Sequence, residues 1–563
     1  MKLGILSKDI LIIVLMAILA GCGLIYQYLL SHYTGRILGV MEHAIFTMIG
    51  IMIVAMGLGA FCAKLVKCPF TAFAWLEILI ALIGATALLM IGGSFVFAHE
   101  FPRILAENYN MSSDLIPRGT LVQFLDQFAK KTPYIFGFMI GFMIGMEIPF
   151  IARVREIIYG ENLKHNVGTI YGADYIGAGA GAAIFVIYML STPIEKSITI
   201  TAAANLVVGF IFLIFFYSKI RHAFALLILH ILLGVFLIFL FLYGSNWQKT
   251  MEGMLYEDKI IIDENTKFQH LVVTKRSINN GEENIFNLYI NGRTQFSSQD
   301  EVIYHSMLTY PPMMASARTD DILIIGGGDG LALRDILKWD VKNVTMLELD
   351  EEMISIFKNP QYKADKIINK PLLDLNKSSL SDERLNIIYG DAFNTIDKLI
   401  NDRKKYDTII VDLPDPSHPN LNKLYSVMFY KKIYELLNAD GAVSIQSTSP
   451  YHAKKTFLTI GVTMKEAGFK NVERYQQNIP SFGQWGWTIA TRAGKPASYR
   501  LKEVNDIPHE DESEWITKGI IDNSFEFGSS FFVTEKELEP NRVGTHIIYL
   551  LHQEEWMEDK TEF

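Results

Sequence analysis

Cysteine is nearly absent: Cys22, Cys62 and Cys68 are the only three in 563 residues. They stand in or beside apolar segments and are too few for a disulfide framework or a zinc cluster, so they read as packing residues. Positive charge is not in excess either. Lys and Arg number 51 against 60 Asp and Glu, a net charge of -9, which argues against a nucleic-acid partner. Charge of either sign is scarce before about Gly244, where long uncharged runs alternate with short polar loops. The remainder has the mixture of an ordinary soluble domain, so the chain divides into two chemically different halves.

The first half, residues 1–246, holds seven candidate spans near 9–30, 40–65, 72–98, 133–152, 168–192, 195–217 and 222–244. Each has about twenty residues or more, the length at which a helix crosses hydrocarbon. The first lacks a small-residue cleavage site and is followed by further spans, so it is no signal peptide. An all-α, multi-pass domain in the lipid bilayer of a cell membrane is therefore expected. Basic residues cluster at Lys2 and Lys8, Lys64 and Lys67, Arg153, Arg155 and Lys164, and Lys219 and Arg221. That bias puts the N-terminus and the even-numbered loops in the cytoplasm and, with seven spans, the second half outside. If the second half takes a ligand made in the cytosol it must lie in the cytoplasm, which is the expectation adopted, with the amphipathic stretch 104–131 as a candidate uncounted span. Small residues from Gly172 to Gly181 allow close helix packing. Glu77, Glu147 and Asp174 fall inside spans, where an acid either pairs with a neighbouring helix or marks a cation or polyamine path.

In the second half, 254–312 breaks into short alternating pieces, Lys259–Ile262, Thr266–Thr274 and Asn284–Gly292, which reads as a small antiparallel sheet. Gln295–Ser306 reads as a capped helix with Asp300, Tyr304 and His305 on one face. Then the apolar run Ile322–Ile325 meets Gly326-Gly327-Gly328-Asp329-Gly330, followed by a helical stretch to Lys338. A second apolar run ends at Glu348, where a Rossmann-like fold places the acid that binds a ribose. The glycines lack both the outer spacing of a dinucleotide fingerprint and a Walker lysine, so an adenosine ligand without a pyrophosphate, S-adenosylmethionine or a relative, fits better. Asp391, Asp412 and Asp415 also end or follow strands. Ligands in such sheets bind beyond the strands' carboxyl ends, so Asp329, Glu348, Asp391 and Asp412 are expected to converge on one crevice. Crowded carboxylates need positive charge, and a sulfonium together with an amine supplies it. A strand-end carboxylate can orient an amine and take its proton as it attacks. An α/β Rossmann-like domain is thus expected over 313–500, roofed by Val443–Tyr451 and Asn478–Ile489. Residues 501–563 form a C-terminal extension with a solvated acidic run, His509–Glu514, and a last helical piece around Gly544–Trp556.

Taken in order, Lys267–His270, Asn291–Gln295, Asp300–His305, Gly326–Gly330, Glu348–Asp350, Gly390–Ala392 and Asp412–Pro416 resemble the motifs of the polyamine aminopropyltransferases, the spermidine and spermine synthases. The likeness runs over about 254–556 and is to the form fused to an N-terminal multi-span domain. It implies a SAM-methyltransferase-like fold, decarboxylated S-adenosylmethionine as co-substrate, and no prosthetic group or metal. It implies Asp412 as general base, with Asp415 holding the acceptor amine. Glu348 would bind the ribose hydroxyls, Asp391 and Ala392 the adenine, and Asp329 with Gln269 the aminopropyl end, within the loop of Gly326 and Gly328. Tyr304, His305 and Gln446 would line the acceptor channel and Pro419 shape its wall. Putrescine is the expected acceptor, giving spermidine and 5′-methylthioadenosine, and soluble relatives commonly form homo-oligomers. Two positions depart from the family. Ser306 replaces the usual Glu, and Phe482 stands where soluble relatives carry an acceptor-contacting tyrosine; each removes a polar contact. Two other readings stay open: a methyltransferase, disfavoured because Asp329 would repel the carboxylate of its donor, and a membrane polyamine sensor or transporter.

Overall fold

The computed structural model describes residues 2–38, 41–109, 120–159, 166–256, 258–278, 283–362, 368–504, 506–509, 513 and 515–559. The chain folds as two units, Met1–Glu257 and Asp258–Phe563.

Unit one is helical: α1 (Lys2–Leu38), α2 (Met41–Cys62), α3 (Pro69–Tyr109), α4 (Thr120–Tyr159), α5 (Asn166–Ile187), α6 (Ile194–Phe215) and α7 (Ala223–Leu255). All seven are long and apolar enough to cross a membrane. The stretch 104–131 is not a separate helix. It is shared between the end of α3 and the start of α4, with 110–119 outside the described residues. Hydropathy marks only the apolar stretch, whereas an amphipathic end keeps its backbone hydrogen bonds beyond it. The small residues of α5 act on one face. A Cβ on Gly177 would stand 1.9 Å from the Ala17 carbonyl and one on Gly181 2.5 Å from that of Gly21, while Gly172 and Gly179 face open space. Glycine therefore lets the backbones of α1 and α5 touch. Buried polar groups tie other helices together. Arg155 donates to Asp9 at 2.6 and 3.1 Å, and Arg153 donates to the carbonyls of Ala63, Val66 and Lys67. Asn205 donates to Glu77 at 3.0 Å. Both oxygens of Glu147 are buried with no hydrogen-bond partner among the described residues.

Unit two opens with β1 (Lys259–Asn265), β2 (His270–Ile278), β3 (Glu283–Ile290) and β4 (Arg293–Ser297), a four-stranded antiparallel sheet in sequence order. Gln295 and Phe296 thus belong to a strand, and α8 (Glu301–Ala315) begins later than their helical reading expects. Pairing with β3 outweighs the local helical pattern. Asp300 stands at the N-cap without capping; its carboxylate accepts from the Ser481 N–H at 2.6 Å and hydroxyl at 2.8 Å.

The strands β5 (Asp321–Gly326), β6 (Asn343–Glu348), β7 (Leu385–Tyr389), β8 (Tyr406–Asp412), β9 (Leu437–Gln446), β10 (Asn471–Ile479) and β11 (Gly483–Thr491) form one sheet. Its order is β10-β11-β9-β8-β5-β6-β7. The five strands from β9 to β7 are parallel, and β11 and β10 add an antiparallel edge. Between and after them lie α9 (Leu331–Ile336), α10 (Glu351–Lys358), α11 (Lys370–Leu375), α12 (Ala392–Asn401), α13 (Pro419–Asn422), α14 (Val427–Leu436) and α15 (Lys454–Glu466). The chain ends through α16 (Ala497–Lys502), α17 (Lys518–Ser524) and α18 (Ile547–Asp559). The period of two in β5 explains the layering: Ile322 and Ile324 enter one hydrophobic core, Leu323 and Ile325 the other. A sheet covered on both faces leaves its strand ends as the place for a ligand.

Candidate active site

β5 runs into the glycine loop at Gly326, whose partner across the sheet is Asp412 at the end of β8. Gly326, Gly327 and Gly330 have φ of +84°, +70° and +77°, a region open to glycine at no steric cost. Space is equally tight. A Cβ on Gly326 would lie 2.0 Å from the Asp412 carbonyl, and one on Gly328 2.8 Å from Glu348 Oε2. The loop is thus pressed between two strand-end acids. Asp329 closes it by accepting the Leu331 N–H at 2.9 Å, and Asn376 donates to the Asp329 carbonyl at 2.9 Å.

Three carboxyl groups meet at this loop, and each is pushed above the ordinary carboxylate range. Burial raises Glu348 to about 7, although its Oε1 accepts the N–H groups of Leu349 and Asp350 at 2.8 and 3.0 Å. Burial and the charge of Asp329 raise Asp412 to about 6, opposed by His305 and by the Tyr304 hydroxyl, which donates to Oδ1 at 2.7 Å. Asp329 rises too, chiefly by burial. Anions in one low-dielectric crevice disfavour one another's ionised forms.

Asp415, three residues beyond Asp412, is held the other way. Gln446 at the end of β9 donates to its Oδ1 at 2.6 Å, and Thr448 and His552 approach Oδ2 at 3.2 and 3.3 Å. Burial raises its pKa, but His552, Gln446 and the charge of Arg293 outweigh burial and hold the carboxyl below its usual range. Thr448 has a φ of +62°, a left-handed strain that the surrounding bonds must sustain. The Tyr425 hydroxyl anchors the same loop through the Pro414 carbonyl at 2.8 Å. The two acids, three residues apart, are therefore pushed in opposite directions, Asp412 towards holding its proton and Asp415 towards losing it.

His305 is engaged rather than free. Its Nδ1 lies 2.8 Å from Glu301 Oε2, and Arg334 donates to both oxygens of Glu301 at 2.6 and 3.1 Å. Burial opposes both charges, yet the pair holds Glu301 at about 2 and lifts His305 to about 9. A buried imidazolium thus lies within electrostatic reach of Asp329 and Asp412. Tyr304 packs its ring 5.7 Å from Trp487 and 6.3 Å from Phe482.

The remaining expected site residues lie farther from this centre in their bonding. Asp391 caps α12 through the Phe393 N–H at 2.9 Å and forms an ion pair with Lys423. Of the four acids expected in one crevice it is the one that pairs with a lysine, from the segment after β8. Gly390 nevertheless donates to the Glu348 carbonyl at 2.8 Å, so Asp391 and Ala392, the buried first residue of α12, adjoin the Glu348 strand end. Gln269 sits in the β1–β2 turn, its carbonyl accepting from Thr266, and its side chain has no hydrogen-bond partner among the described residues. Thr266 ties that turn to Asp350 at 2.6 Å. Pro419 opens α13 and is half-buried. Glu301, Arg334, Lys423, Thr448, Tyr425 and His552 were not expected. The charges Glu301, Arg334 and Asp335 in otherwise mostly apolar α8 and α9 are a legible signal; His552, 137 positions from Asp415, gives none.

A parallel sheet with a glycine loop after one strand and acids at the ends of its neighbours defines the Rossmann-like class of ligand-binding α/β folds. A family model, the spermine/spermidine synthase domain, matches residues 301–503. The chain is 47% identical over 550 residues to the polyamine aminopropyltransferase of Shewanella oneidensis, covering 98% of this chain and 95% of that one. It is 32% identical to polyamine aminopropyltransferase 1 of Streptomyces coelicolor over 86% of this chain and 84% of that one. A solved spermidine synthase from Thermotoga maritima is similar at 22% identity and a TM-score of 0.41, over 50% of this chain and 88% of that one. The chain belongs to the polyamine aminopropyltransferase family and is an aminopropyltransferase enzyme.

Proposed function

We propose that this enzyme moves the aminopropyl group of decarboxylated S-adenosylmethionine to putrescine, releasing spermidine and 5′-methylthioadenosine. The observation that carries the reading is the contrast between Asp412, raised to about 6, and Asp415, held as an anion by three donors. Asp415 takes the far ammonium of the diamine, with Gln446 fixing that carboxylate and Pro419 bounding the channel. Asp412, oriented by Tyr304, takes the proton from the near nitrogen. A new N–C bond forms as the C–S bond breaks, its electrons turning the sulfonium into a neutral thioether. Glu348 holds the ribose hydroxyls, Asp391 and Ala392 the adenine, and Gly326 and Gly328 let the donor approach the backbone. Asp329 and Gln269 meet the donor's ammonium, and Asp329 would repel the carboxylate of S-adenosylmethionine itself. His305 serves from behind, as a fixed positive charge that limits how far the acids rise.

Mass analysis of products from the detergent-purified chain, the decarboxylated donor and a panel of amines tests this. Spermidine and 5′-methylthioadenosine are expected; a methylated product, or no product with any amine, sinks the reading. Glu348→Ala should weaken binding of 5′-methylthioadenosine by about 10- to 100-fold, the loss of one or two charge-assisted hydrogen bonds to the ribose. Calorimetry checks it.

Unit one is proposed to span a cell membrane with the catalytic unit in the cytoplasm, which puts the N-terminus on the far side of seven spans. What supports this against the charge bias is the proposed reaction itself, whose charged donor and amine must reach the catalytic unit without crossing a bilayer. A sensing role is favoured by one cluster. The Nδ1 of His230 meets the Leu226 carbonyl at 2.8 Å and must carry the hydrogen, which leaves Nε2 a bare acceptor. Nε2 and the Glu77 Cβ lie 2.9 and 2.7 Å from the point a Gly209 Cβ would occupy. Glu77 Oε1, Asn205 Oδ1 and both Glu147 oxygens are further buried acceptors without donors among the described residues. A protonated amine supplies such donors. Labelled putrescine retained by the full chain carrying Asp412→Asn and Asp415→Asn, and lost on adding Glu147→Gln, would support sensing; no retention removes it.

A further inference from the structure

The acceptor carboxylate is completed by a residue beyond the 301–503 segment that the synthase-domain model matches. His552 lies on α18, is 1% exposed, and sets its Nε2 3.3 Å from Asp415 Oδ2, while Asp415 itself keeps 13% exposure. A carboxylate only accepts, so the imidazole hydrogen is on Nε2 and points at Asp415. The Thr448 hydroxyl approaches the same oxygen at 3.2 Å, and Gln446 occupies one side of Oδ1 at 2.6 Å. Both lone pairs of Oδ2 are thereby engaged. One lone pair of Oδ1 is left for a ligand.

The helix that carries His552 is fixed in place. Glu555, three residues on, accepts the N–H groups of Lys455 and Thr456 at 2.5 and 3.0 Å and the Thr456 hydroxyl at 2.8 Å, which ties α18 to the first turn of α15. Trp556 stacks on His452 with ring centroids 5.4 Å apart. Before the helix, Asn541 donates to the carbonyls of Asn422 and Tyr425, both at 3.0 Å, in the segment that follows Asp415. Meanwhile the two departures from the family pattern leave the channel short of polar groups: Phe482 has none, and the Ser306 hydroxyl is buried without a hydrogen-bond partner among the described residues.

We propose that His552 is an acceptor-positioning residue, which turns Asp415 so that its free lone pair meets the second ammonium of a diamine and thereby selects diamines over monoamines. This rests on the reading that Asp415 binds that ammonium. The probe is a pair of acceptors of equal length, putrescine and n-butylamine, the second lacking the far charge. In the detergent-purified full chain, His552→Ala should lower kcat/KM for putrescine by about tenfold or more, chiefly through KM, the scale of one charge-assisted hydrogen bond. The value for butylamine should move less than about twofold, so discrimination between the two amines collapses. His552→Gln, whose amide can still donate, should recover most of it. Should His552→Ala lose 5′-methylthioadenosine binding and so prove misfolded, His552→Asn, too short to reach Asp415, is read in the same way. Equal losses for both amines, or an unchanged ratio, overturn the inference while leaving the proposed reaction standing. A wild-type chain that makes no product with any amine overturns both.

Discussion

Asp412→Asn should leave a folded protein that binds donor and acceptor but turns over about 10²- to 10⁴-fold more slowly, the usual worth of a general base. Asparagine keeps the shape and the bond from the Tyr304 hydroxyl, so what is lost is the capacity to take a proton. The wild-type pH profile should show the same group. Asp412 is held at about 6 in the ligand-free chain, so the base form, and with it kcat/KM, grows as pH rises through that value and falls away below it. Stability runs in the opposite sense. The folded carboxyl binds its proton more tightly than an unfolded one near 3.8, so its contribution is fullest below that value and is lost as pH rises towards about 6. At pH 7 an ionised Asp412 is a cost. Asp412→Asn should therefore unfold later than the wild type, by on the order of 1–2 kcal/mol, when both are melted without ligand at pH 7. An inactive variant that is more stable than its parent separates chemistry from folding.

Arg334→Leu should be the most damaging single change to the catalytic unit. Arg334 bridges Glu301 and Asp335, with bonds of 2.6 and 3.1 Å to the first and 3.1 and 3.2 Å to the second, and all three are buried. Removing one member of a buried network leaves charge behind, a loss of about 3–5 kcal/mol. The lower end is expected here, because His305 still faces Glu301 and Lys338 still faces Asp335 at 2.9 Å. Thermal unfolding of the full chain, followed by a probe in the second unit, checks it. A melting point within a degree of the wild type would show the network contributes little.

The order of glycine loop and strand-end acids was legible because strands that alternate between two cores, and glycines squeezed between carboxylates, leave marks within a few residues of each other. The seven long helices were legible by the same locality, though not their ends. What escaped reading is what the fold brings from afar. Lys423 cancels Asp391, Ser481 diverts Asp300 from its helix, and His552 arrives from the last helix. Each depends on tertiary distance, on which neither periodicity nor propensity bears. Phe296 shows a different failure: its local pattern suits a helix, and pairing with Leu288 of β3 overrides it.

Near neutral pH the ligand-free crevice carries part of its acidity as bound hydrogen, since Glu348 is poised at about 7 and Asp412 at about 6. On the proposed reading, a donor bearing two positive charges would draw those protons off as it enters. Loading the enzyme is thus an ion exchange, protons out for an organic dication in, and it grows easier as the surrounding solution becomes more alkaline. If Glu348 and Asp412 hold the donor as proposed, acidification would slow loading through those carboxyl groups themselves, with no separate regulatory site.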